Sequence, residues 1–150
     1  MALVRVSTQL EAAPEKVWNA VQSYSTLRHV MRGLIGFAGP MPDRVRAGDS
    51  VDVRLWFFHL LPAWRHSIGI EAVDAPLRTI QSRETGGLVK RWDHLIRVSP
   101  GPEGRTEYTD EIEIEAGVFT PVVCLWAHAQ YRYRQWRWRA FAKLLEGAKG

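Results

Sequence analysis

The sequence predicts an α+β domain in which a curved antiparallel sheet wraps around a long C-terminal helix, with two short helices after the first strand. Three observations predict it. The opening residues alternate apolar and polar side chains and then run into a proline-led helix start. Between Asp49 and Glu115 the same period-two alternation recurs in several stretches separated by glycine and proline turns. From Val118 to Glu146 the period lengthens to that of a helix, and the pattern stops before Gly147.

Taken in order, Leu3 to Leu10 alternates well enough for a half-buried strand. In the segment from Ala13 to Val21, Pro14 sits in the first turn, where a helix tolerates proline, and Val17, Trp18 and Val21 share one face. A second short helix is predicted from about Ser25 to Met31. Gly33, Gly36, Gly39 and Pro40 limit the next stretch to a loop or a short strand, and it lacks the lysine and the strand-to-helix setting of a phosphate-binding loop. Val51, Val53, Leu55 and Phe57 then alternate with Asp52, Arg54, Trp56 and Phe58; a turn is expected at Leu61-Pro62-Ala63; and His66, Ile68, Ile70 and Ala72 alternate on the return. Further strands are expected over Arg78 to Glu84, Leu88 to Val98 and Arg105 to Glu115, so that consecutive hairpins build a meander. In the last segment a step of about 100° per residue places Phe119, Val122, Trp126, Tyr133, Trp136 and Leu144 on an apolar face. The same step places His128, Arg132, Gln135, Arg139 and Lys143 on a solvated face of a helix about 40 Å long.

The chain has 150 residues, the size of one domain, and residues 1–150 are read as a single unit able to bury roughly 70% of its unfolded surface. With 46% apolar and 24% charged residues it has the composition of a folded soluble domain, and no apolar run approaches the roughly 20 residues of a membrane span. The first residues lack the basic and continuous apolar regions of a signal peptide. A lone cysteine, Cys124, leaves no intrachain disulfide and reads as a small buried side chain, which suits a reducing cytoplasm. The net charge of +4 is spread over strands and helix, so no specific nucleic-acid binding is expected. Scattered histidines and the absence of an HExxH motif argue against a metal site, and no cofactor is implied.

The order strand, two short helices, meander, long helix is the helix-grip layout, and three local stretches extend the likeness. The first is Gln9-Leu10-Glu11-Ala12-Ala13-Pro14-Glu15-Lys16-Val17-Trp18. The second is Trp92-Asp93-His94, followed by Gly104-Arg105-Thr106 and Asp110-Glu111-Ile112. The third is Tyr133-Arg134-Gln135, with glutamine where histidine is the pattern. On these residues the chain resembles the Bet v 1/START-like (SRPBCC) superfamily, including its polyketide cyclase/dehydrase-like branch. The resemblance implies a cavity between sheet and helix that takes a small hydrophobic or amphipathic ligand, such as a lipid, an isoprenoid or an aromatic polyketide-like molecule. In the cyclase-like branch it implies a His-Asp pair that abstracts a proton next to a carbonyl, for which His94 and Asp110 are the candidates.

Alternation assigns the residues that face such a cavity. If Ile112 and Ile114 point inward, so do Asp110 and Tyr108; with Ile96 and Val98 go His94 and Trp92; Ile80 and Ser82 bring Glu84; and the β-hairpin brings His66. From the helix come Trp126, Gln130, Tyr133, Arg134 and Arg137, completing an apolar space with a few convergent polar groups. Arg137 is expected near the centre of the apolar face, where a guanidinium must meet a carboxylate, Asp110 or Glu84, a ligand anion or water. Trp56 and Phe58 put large apolar groups at one hairpin tip, which reads as a homodimer contact, a lid at the cavity mouth or a membrane-touching tip. Three functions remain open: a carrier of an apolar ligand, a cyclase- or dehydratase-like enzyme and, well behind these, a nucleic-acid or protein adaptor.

Overall fold

The computed structural model describes residues 1–147. The period-two segments become seven strands: β1 Ala2–Leu10, β2 Ile35–Ala38, β3 Ser50–Phe57, β4 Leu61–Asp74, β5 Thr79–Gly86, β6 Val89–Pro100 and β7 Thr106–Glu115. Between β1 and β2 lie the helices α1, Pro14–Val21, and α2, Tyr24–Met31; the chain ends in α3, Thr120–Gly147. The strands form one antiparallel sheet in the order β1-β7-β6-β5-β4-β3-β2. It curls as a half-barrel around α3, and its inner face buries Val53, Ile68, Ile80, Ile96 and Ile112. The outer face carries a cross-strand ladder in which Arg83 joins Glu71 (2.8 Å) to Asp93 (2.6 Å), and Arg91 joins Asp93 (2.5 Å) to Glu113 (3.2 Å).

Two expectations about local structure are corrected. The β3–β4 turn falls at Phe58 and His59, ahead of Leu61-Pro62-Ala63; Leu61 and Pro62 already pair with Phe57 and Trp56. Phe58 and His59 adopt φ values of 53° and 58°, a left-handed pair at the centre of a tight turn that the Leu60 N–H closes onto the Phe57 carbonyl at 3.0 Å. Neither residue is glycine, so the turn needs outside support. The Phe58 N–H donates to the Leu34 carbonyl at 2.8 Å, and His59 Nε2 accepts the Gly33 N–H at 3.0 Å.

The second correction is the rotation of α3. Its buried residues are Ala127, Tyr131, Arg134, Gln135, Trp138 and Ala142, while Phe119, Val122, Trp136 and Leu144 are exposed. The buried stripe lies roughly 140° round the helix from the apolar one expected. The sheet explains this, because it offers partners to polar side chains that hydropathy sends outward. Gln135, expected on the solvated side, donates its amide to the Val6 carbonyl at 2.7 Å and to Asp110 at 2.9 Å. The small side chains of Ala127 and Ala142, both wholly buried, let the helix lie close against the sheet.

Candidate functional site

Between the concave sheet and α3 lies a cavity of about 430 Å³. Most of its wall is aliphatic and aromatic, with Leu55, Ile70 and Ile96 from the sheet and Leu27 and Met31 from α2. Phe57 packs edge-on against Trp64 and Trp126, with ring centroids 5.5 and 5.6 Å apart, joining the end of β3, the start of β4 and the first turns of α3. Phe58, Leu88 and Val122, each more than half exposed, line the same cavity and mark its mouth.

Polar groups converge on the wall formed by β4, β5, β6 and α3. His66 Nε2 lies 2.8 Å from Glu84 Oε2, and the Ser82 hydroxyl donates to Glu84 Oε1 at 2.8 Å. On the next strands His94 Nε2 lies 2.7 Å from Asp110 Oδ1, a diagonal pair allowed by the register in which His94 faces Ile112 and Ile96 faces Asp110. The Tyr131 hydroxyl stands 3.5 Å from His94 Nδ1 and accepts the Trp92 indole N–H at 3.2 Å. Arg134 donates to the Tyr108 hydroxyl at 3.3 Å and lies over the Tyr131 ring.

Electrostatics fix the charge states. Burial raises the Asp110 carboxyl, but the Arg134 charge and the hydrogen bonds of His94 and Gln135 more than reverse this and hold it below its ordinary value. Burial likewise raises Glu84, and the hydrogen bond and charge of His66, with smaller help from His94 and Ser82, bring it below the ordinary value too. Desolvation pushes the Tyr108 and Tyr131 hydroxyls up, so both stay protonated. Burial opposes the charge on Arg134, and Tyr108, Asp110 and Tyr131 outweigh it. An ionised Asp110 only accepts, so the His94 Nε2 carries a proton and Nδ1 is the nitrogen turned towards Tyr131. Three buried polar atoms of cavity-lining residues, Trp64 Nε1, His66 Nδ1 and Arg134 Nε, have no partner among the described residues.

Of the residues singled out from the sequence, His66, Glu84, Trp92, His94, Trp126, Gln130 and Arg134 line the cavity. Tyr108 and Asp110 stand behind that wall, wholly buried and hydrogen-bonded to it. Tyr133 and Arg137 lie elsewhere, because α3 is rotated: the Tyr133 hydroxyl donates to the Arg32 carbonyl and an Arg137 Nη2 donates to the His29 carbonyl at 2.9 Å. The buried guanidinium is therefore Arg134. Trp56 and Phe58 also separate, with Phe58 at the cavity mouth and Trp56 in a shallow groove beside Arg28, Arg32 and His59. Tyr131 was missed. Its signal is the spacing Ala127, Tyr131, Arg134, Trp138, Ala142, a clean helical stripe whose polar members hide it from hydropathy. Among the described residues no group of three or more His, Cys, Asp or Glu side chains is arranged to hold a metal ion.

A half-barrel closed by a terminal helix over a cavity defines the Bet v 1/START-like, helix-grip fold. The chain is similar in structure to protein CV1439 from Chromobacterium violaceum, with 12% identity, 93% of this chain and 96% of that one covered and a TM-score of 0.74. It is also similar to Ms6760 from Mycobacterium smegmatis (12% identity, coverage 93% and 89%, TM-score 0.74) and to the ginseng major latex-like protein 151 from Panax ginseng (12%, 94% and 97%, 0.68). At such identities it is the fold that is shared. The chain belongs to the family described as a domain of unknown function, DUF8410, whose model matches residues 8–141. No curated protein matches it. No helix among the described residues is long and apolar enough to cross a membrane.

Proposed function

We propose that the protein binds one small apolar or amphipathic molecule in the cavity, oriented by a hydrogen-bond acceptor that meets Arg134. The observation that carries this reading is the buried Arg134 guanidinium at the edge of an apolar cavity, with its Nε unpartnered among the described residues. A donor left dry costs about 1–3 kcal/mol, and an acceptor on a ligand removes that cost. The volume falls within the roughly 300–1,000 Å³ of small-molecule sites. The superfamily likeness to the ginseng major latex-like protein supports the same reading.

Two dyes test it. Anilinonaphthalene sulfonate, an anion, and Nile red, which is neutral, should each bind saturably and quench Trp92 and Trp126, which line the cavity. Arg134→Met should cut affinity for the anionic dye about tenfold or more while leaving Nile red unchanged, and Arg134→Lys should recover part of the loss. A folded protein that binds neither dye would sink the proposal.

One observation favours a second reading. His94 is held by Asp110 at 2.7 Å with its other nitrogen directed at Tyr131, the arrangement of a general base and its orienting carboxylate. Such a base would abstract a proton next to a ligand carbonyl, as a cyclase- or dehydratase-like enzyme does, with Arg134 stabilising the enolate. Deuterium uptake next to the carbonyl of a bound aromatic ketone, abolished in His94→Gln, is its signature. No uptake above solvent background leaves the carrier reading alone.

A further inference from the structure

We propose that the cavity mouth is a docking face for an anionic lipid surface, on which the protein sits without spanning it. Of the thirteen exposed large apolar residues among those described, eight belong to three segments that meet at this end. Phe58, Leu60 and Leu61 are at the β3–β4 turn, Leu88 is at the β5–β6 turn, and the rest lead into and line the start of α3. Leu60 is 77% exposed and Leu125 70%, well beyond what cavity lining requires. The Phe57, Trp64 and Trp126 rings beneath them tie the first and third segments together, and Gly87 packs against Trp64 to bring in the second. Clustered apolar exposure of this kind marks an interaction face.

Charge selects the occupant. The chain carries no Asp or Glu from Arg54 to Ile70, from Thr85 to Trp92, or from Ala116 to Leu145. These stretches hold Arg54, Arg65, Lys90 and Arg132, all exposed, and none of the four pairs with a carboxylate among the described residues. Arg54 and Arg65 even stand directly opposite each other in the β3–β4 register, a like-charge juxtaposition that an external anion relieves. β7 brings Glu113 and Glu115 to the same end, and Glu113 is engaged by Arg91 at 3.2 Å. At the far end of the sheet several cations are neutralised within the fold: Arg78 pairs with Glu15, Lys16 with Glu146 (3.6 Å) and Lys143 with Glu11 (3.9 Å). Apolar side chains ringed by unpaired cations are what a surface of anionic headgroups over acyl chains accepts.

Flotation with vesicles of phosphatidylcholine, alone or mixed with phosphatidylglycerol, tests the proposal. The protein should float with the mixed vesicles and much less with the neutral ones, and added salt should release it. Arg65→Glu combined with Lys90→Glu should lower partitioning by at least roughly tenfold. Leu60→Glu combined with Leu61→Glu should abolish it. All four side chains are exposed, so thermal melts of both double variants should match the wild type. Failure to float with the anionic vesicles would overturn the proposal, as would variants that float as well as the wild type. A concentration-dependent dimer broken by the leucine double variant would assign the face to a second copy of the chain instead. Flotation reads the face and the dye titrations read the cavity, so either can fail while the other stands.

Discussion

The two histidine-carboxylate pairs on the inner sheet are chemically alike and differently housed. Asp110 is 0% exposed and His94 4%, and the pair is enclosed by β6, β7 and α3; Tyr108, Gln135 and Arg134 all bear on the carboxylate. His66 and Glu84, on β4 and β5, keep 12% and 13% of their side-chain surface, and both line the cavity. The enclosed pair ties the helix to the sheet, since Gln135 and Arg134 of α3 converge on it. The open pair has spare capacity towards the cavity, including the unpartnered His66 Nδ1. Asp110, closed in on every side, is therefore framework that reaches the cavity only through His94, whereas both members of the His66–Glu84 pair face a ligand directly.

The sharpest test of this contrast removes the enclosed carboxylate. Asp110→Ala should destabilise the fold by about 3–5 kcal/mol, because Arg134 is left as an uncompensated buried charge. Adding Arg134→Met should recover part of the loss by removing that charge. Urea unfolding of both variants measures the coupling, and simple additivity would show that the two groups act independently. Glu84→Gln should cost less, about 1–2 kcal/mol, since the amide still accepts from Ser82 and the site is partly open.

Acid titration sharpens the comparison further. Folding holds Glu84 and Asp110 below their ordinary values of 4.5 and 3.8. Each therefore stabilises the fold at pH above its ordinary value, and that stabilisation is lost as pH falls from there through the folded pKa. Unfolding free energy measured from neutral pH down to about pH 3 should fall on the acid side. The fall should be shallowest in Asp110→Asn, intermediate in Glu84→Gln and steepest in the wild type. Identical acid limbs in all three would mean that neither carboxylate is held down in the folded protein.

The strand framework was legible because one face of each strand is buried and the other wet, so alternation alone brings His66, Glu84, Trp92 and His94 to the inner face. It fails where three-dimensional partners override hydropathy. Nothing local announces that Gln135 will find both Asp110 and the Val6 carbonyl, contacts 25 and 129 residues away in the chain. Once that pairing rotates α3, Tyr131 enters the site and Tyr133 leaves it. The turn at Phe58 and His59 was hidden for a similar reason: its left-handed backbone is held by Leu34 and Gly33, residues of a distant segment, and not by glycine or asparagine in the turn itself.

The smallest expected effect separates the two arginines that the helix register exchanges. Arg137 is half-buried, and its Nη2 donates to the His29 carbonyl in the last turn of α2, which also accepts the Arg32 N–H at 3.3 Å. Arg137→Met keeps the aliphatic packing and loses that one bond, so it should cost about 1 kcal/mol and leave binding of both dyes untouched. His29, whose pKa is lowered by burial and then by Arg137 and Arg32, should at the same time titrate closer to its ordinary value, visible in its imidazole proton resonances. Arg134→Met, three residues earlier, should instead alter anionic-dye affinity and the stability coupling with Asp110. If Arg137→Met weakened the anionic dye as strongly as Arg134→Met does, the ligand would have to reach Arg137, which does not line the cavity. The contrast between an enclosed and an open wall would then have to be redrawn around both guanidinium groups.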